Sequence, residues 1–133
     1  MISQAIVTQI RADTDIMALV GSDDQVKAQK AHGDQYVVVI ENNKARVVDE
    51  INEVKQSDVQ VLISGYKVSS GEEIGVRIAE LLEGLEGSQL TADSYTYDVL
   101  AVLIPSDPVL VEWQEVTGFS LNARVSYRQS FSG

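Results

Sequence analysis

The sequence predicts an α+β domain in which two helices pack on one face of a mainly antiparallel sheet of four to five strands. Three observations carry that prediction. Tyr36-Val37-Val38-Val39-Ile40 is β-branched or aromatic throughout, as a strand buried on both faces requires. Phe119, Leu121, Ala123, Val125 and Tyr127 alternate with Ser120, Asn122, Arg124, Ser126 and Arg128, so one face of that strand is dry and the other wet. Between them Ile74, Ile78, Leu81, Leu82 and Leu85 recur at helical spacing.

Taken in order, Ile2, Ala5, Ile6, Ile10, Met17 and Val20 form one stripe, which predicts an amphipathic helix from Ile2 to Val20 that Gly21 stops. The run at Tyr36 reads as the centre of the sheet, and Asn42-Asn43 as the turn that ends it. From Ala45 to Gln56 the pattern is ambiguous: Val47, Ile51 and Val54 fit a helical stripe, yet an irregular strand or a projecting loop fits as well. Val59, Val61 and Ile63 restore period-two patterning in a strand that Gly65 closes. Ser69 with Glu72, or Ser70 with Glu73, would form a capping box for the next helix, and Glu73 precedes Arg77 by four residues, the favoured order for an ion pair. Gly84 and Gly87 are its two stopping points. Tyr95 to Ile104 reads as a strand and Pro105-Ser106-Asp107-Pro108 as a tight connection. Leu110 to Val116 is then the antiparallel return, with a bulge or bend at Thr117-Gly118 before the last strand.

With 133 residues, 44% of them hydrophobic and 23% charged, the chain is expected to form a single domain over residues 1–133 without disulfides or a structural metal. It has no cysteine, which removes thiol nucleophiles and thiolate metal sites. Its first residues lack the basic and apolar regions of a secretory signal, and its apolar runs are about a third of a membrane span, so no membrane association is expected. A net charge of −10 repels phosphate backbones and argues against DNA as a specific ligand. The charge is also uneven. Arg77 is the only cation from Val68 to Val116, against 10 carboxylates, whereas Thr117 to Gly133 carries Arg124 and Arg128 and no acid. Unlike ends suit head-to-tail contacts between copies, although two solvated faces would look the same.

Residues that could carry chemistry do so poorly. His32, the single histidine, lies in a polar loop, and no serine sits in a Gly-x-Ser-x-Gly elbow. Asp23, Asp24 and Asp34 lack the ordered alternation of a calcium loop. Asp49-Glu50 and Glu72-Glu73 are adjacent pairs whose side chains diverge, and Gly65 to Gly71 lacks the signatures of a phosphate-binding loop. No catalytic, cofactor or metal-binding residue is therefore assigned, and no enzymatic activity is expected. Trp113 reads either as core or as an exposed anchor for a partner.

The succession of elements resembles the tail-completion, or tail-terminator, family of long-tailed bacteriophages over about the whole chain. The matching features are a first helix ending Ile16-Met17-Ala18-Leu19-Val20-Gly21 and a Tyr36-Val37-Val38-Val39 strand after a variable loop. A Val59-Gln60-Val61-Leu62-Ile63 strand then runs into the Glu72 to Leu85 helix, and the closing strand ends Ala123-Arg124-Val125-Ser126-Tyr127. The resemblance implies a virion structural protein without catalytic residues. It would form a ring, typically a hexamer, that caps the tail tube and joins it to the head, with DNA passing through unbound. The implied partners are further copies of the chain, the tail tube protein, a head-completion or connector protein and, in a contractile tail, the sheath. Arg124 and Arg128 of one copy facing Glu80, Glu83 or Glu86 of the next would join such a ring. Two other readings are a head-completion or neck connector of the same virion, and a cellular acidic adaptor that adds a peptide strand to an open sheet edge, for which the last strand leaves room.

Overall fold

The computed structural model describes residues 1–31, 33–41, 45–113 and 116–131, with the backbone alone for 112, 113, 116 and 117. Its elements are helices α1 (Ile2–Ala12), α2 (Thr14–Val20) and α3 (Val68–Glu83) and eight strands. The strands are β1 (Val26–Ala28), β2 (Tyr36–Glu41), β3 (Arg46–Asp49), β4 (Val54–Ser64), β5 (Gln89–Ala92), β6 (Tyr95–Leu103), β7 (Val109–Trp113) and β8 (Val116–Phe131). All eight belong to one sheet of order β1-β2-β4-β8-β6-β5, with β3 beside β4 and β7 beside β8. The α+β class is as the sequence predicts, but the sheet has eight strands where four to five are expected, and three helices replace two. It is also mixed: β1 runs parallel to β2, and the remaining pairs are antiparallel.

The first helical stripe is broken because Asp13 turns out of helical geometry and its carboxylate accepts from the Ile16 amide at 2.9 Å, capping α2. Gly21 ends α2 as expected. At α3 the capping boxes do not form. The helix already begins at Val68, with Lys67 in the cap position and no side-chain cap, so both serines lie inside the first turn. Glu73 and Arg77 do pair, at 3.2 Å.

The spine of the sheet is the β4–β8 pair, in register from Lys55↔Tyr127 to Ser64↔Gly118. The centre therefore lies there and not at β2, which is second from one end. Strands β6 and β7 do not form a hairpin with each other. They follow one another along the same edge of β8, and β7 turns back into β8 directly. Gly118 carries no register shift. A Cβ there would stand 2.5 Å from the Ile63 carbonyl oxygen, so the glycine permits close approach of β4, and the bulge falls instead in β6 between Val99 and Ala101. The sheet curls, bringing α1 against strands at both of its ends, β1 and β5. Ile2, Ile6 and Ile10 of α1 and Ile74, Ile78 and Leu82 of α3 fill the concave side, against Val59, Val61 and Ile63 of β4 and Leu121, Val125 and Tyr127 of β8.

The stretch from Ala45 to Gln56 is not a helix but takes the irregular-strand alternative, with a register shift between Val47 and Asp49. It is a hairpin: β3 pairs only with the first residues of β4, Val54 to Gln56, and projects beyond β2. Val47, Val48 and Ile51 on it are 55%, 52% and 94% exposed.

Candidate assembly surfaces

Alternation along β8 turns Arg124 and Arg128 to the convex face of the sheet, while α3 lies on the concave side. Glu80 and Glu83 are exposed on α3, and Glu86 is exposed in the turn that follows. Within one chain the structure does not bring the acidic and basic groups of the expected contact together; they occupy opposite faces. Three of them are partly engaged already. Glu86 Oε1 accepts from the Val102 amide at 2.9 Å, just past the β6 bulge, and Arg124 Nε donates to Asp58 Oδ1 at 2.9 Å. Arg46 Nη2 stands 3.9 Å from the other oxygen of Asp58, and Arg128 Nε donates to the Asn52 carbonyl at 2.9 Å. Two arginines, Arg124 and Arg46, thus flank Asp58 on the convex face, while Arg128 is held by the hairpin at Asn52 and stands opposite Asp98 of β6.

The hydrogen bond from Arg124, with the charges of Arg124 and Arg46, holds the Asp58 carboxyl below the usual carboxylate range. A depressed pKa contributes stability that is present above the unfolded value and is lost as pH falls through the folded one. Both side chains are more than a third exposed, so the contribution is about a few tenths of a kcal/mol. A carbon-detected NMR titration is expected to place Asp58 below an ordinary aspartate, and to return it toward that value in Arg124→Gln. An unmoved midpoint would mean that the pair does not persist in solution.

Beside this pair is a shallow depression of about 330 Å³, lined by Asp58, Leu103, Pro105, Asn122, Ala123 and Arg124. It opens where β6 has ended and β7 has not yet begun, which leaves the middle of β8 without a neighbour on that edge. Leu103 at its rim is 60% exposed. Sequence reasoning missed it because the gap arises from long-range pairing.

His32 and the Trp113 side chain lie outside the described residues. Among the described residues no three metal-ligating side chains gather, Asp23, Asp24 and Asp34 included. The stretch from Gly65 to Gly71 is largely the first turn of α3, and its glycines are occupied by packing: a Cβ at Gly71 would meet the Phe119 ring at 3.0 Å. Burial pushes the Tyr66 and Tyr97 phenols up to about 12. No peptide strand can add along β8 as a whole, since β4 covers one edge and β6 and β7 cover most of the other; the sheet ends at β1 and β5.

Neither a family model nor a curated protein sequence matches this chain. Among solved structures it is similar to a chain from the virion of a native gene transfer agent (GTA) particle, with 18% sequence identity and a TM-score of 0.60. The match covers 92% of this chain and 91% of the other, so the α+β fold with its curled sheet is shared over nearly the whole length of both.

Proposed function

We propose that this chain is a structural protein of a phage-type virion, and within it the tail terminator: a hexameric ring that caps the tail tube and joins it to the head. The observation that carries the reading is the two-way, nearly complete fold match to a virion chain. The layout from the Ile16–Gly21 helix end to the Ala123–Tyr127 strand, which resembles the tail-completion family, supports the finer role. The opposed charges support the ring, because a heterologous contact needs two different surfaces on one chain, and closes when the rotation between them divides a full turn. The Arg124–Arg128 face of one copy then meets an acidic surface of the next, with Glu80 and Glu83 on the helix layer as one candidate. A strongly acidic protein around the lumen lets DNA pass without sticking.

Mass photometry with negative-stain imaging over a wide concentration range is expected to find closed rings of about six copies, and Arg124→Glu with Arg128→Glu to disperse them. A protein that stays monomeric throughout, and also fails to bind tails purified from a head-defective lysate, is not a terminator.

A further inference from the structure

The β3–β4 hairpin presents Ile51, 94% exposed, between Asp49, Glu50 and Glu53, with no cation from Val47 to Val54. Asp49 fixes the turn by accepting from the Asn52 amide at 3.1 Å and from its side chain at 2.7 Å, so the tip is shaped rather than loose. A single exposed apolar side chain is ordinary, but Val47, Val48 and Ile51 are all exposed on this one projecting element, and apolar surface gathered in this way marks interaction sites.

The depression beside Asp58 has the complementary chemistry. Leu103, Pro105 and Ala123 give it an apolar lining, and Arg124 stands at its rim with only Nε engaged among the described residues, leaving two terminal nitrogens for a second carboxylate. A second arginine, Arg46, stands 3.9 Å from Asp58 in its wall, whereas the tip carries three acids. The tip lies at the Lys55↔Tyr127 end of the spine, where Arg128 meets Asn52, and the depression opens at its middle beside Arg124, so the two occupy different places on one chain. That placement suits a head-to-tail contact between copies.

We propose that the occupant of the depression is the hairpin tip of a second copy of this chain, with Ile51 against Leu103 and Pro105 and a tip carboxylate, Glu50 or Glu53, on Arg124. This deepens the ring reading above and rests on it. It names the hairpin, not the Glu80–Glu83 flank, as the acidic partner. Exposed charge pairs alone contribute little to association, whereas the tip couples its acids to an apolar side chain that becomes buried.

The chain has no cysteine, so a pair can be introduced cleanly. Ile51→Cys with Leu103→Cys is expected to give a ladder of covalent oligomers on mild oxidation, ending at the ring. A link within one copy would run as a monomer and is told apart from the ladder by size. Ile51→Asp, at a site that touches no core, is expected to lower the ring population at least about ten-fold at a concentration where the wild type is mostly assembled. Wild-type rings that form no 51–103 link, or that link through Ile51→Cys with Glu83→Cys instead, overturn the hairpin contact and leave the ring reading standing. A wild type that never assembles, alone or on tails, overturns both.

Discussion

Replacing Gly65 with alanine is expected to lower stability by about 3 kcal/mol. Two independent causes meet there. The residue has φ +87, in the left-handed region where a side chain costs about 1–2 kcal/mol, and the added Cβ would stand 2.3 Å from the Asp34 carbonyl oxygen, which is backbone and cannot rotate away. Gly87→Ala separates the two. Its φ is +80, but nothing lies within 4 Å of the new Cβ, so only the conformational cost of about 1–2 kcal/mol applies. Urea unfolding of the two variants beside the wild type measures the difference directly. Equal losses would show that the chain before β2 does not pack on Gly65 as described.

The second large effect is expected at Ile6. This side chain is fully buried on α1, inside the curl of the sheet, and Ile6→Ala should cost about 2–5 kcal/mol, since the cavity it leaves is walled by strands that cannot collapse without unpairing. Ile51→Ala, a like truncation at a side chain 94% exposed, should change the stability of the monomer by less than about 0.5 kcal/mol. A loss of similar size at the two sites would contradict the placement of α1 in the core.

Much of this architecture is legible in the chain, and the parts that are not share a physical reason. Residues Tyr36 to Ile40, the alternation of β8 and the Glu73–Arg77 pair can be read because each signal lies within one element. Strands β1 and β5 cannot, because three or four residues at the end of a sheet are too few for a period to show. The break at Asp13 is hidden, since Ile10, Met17 and Val20 continue the apolar stripe across it. The Pro105–Pro108 stretch reads as a hairpin turn from its composition, yet Pro108 packs where a Cβ at Gly75 of α3 would be, at 2.8 Å, and the chain continues along β8 instead of reversing. On the assembly surfaces the charges were visible and their pairing was not. Arg124 meets Asp58 because β4 and β8 align in that register, a contact spanning 66 residues.

The position of β8 at the middle of the sheet also governs when the protein can fold. Strand β4 waits for a partner that begins more than 50 residues after it ends, and β7 and the second half of β6 depend on that same late strand for their pairing. A nascent chain still short of Val116 on the ribosome holds helices and a few hairpin contacts but no closed core, so folding is completed only after β8 emerges, and slowly, as expected for non-local pairing. Until then Leu103 and its neighbours on the growing chain lack the β8 wall that completes the depression, and copies made side by side on one messenger cannot join prematurely through it.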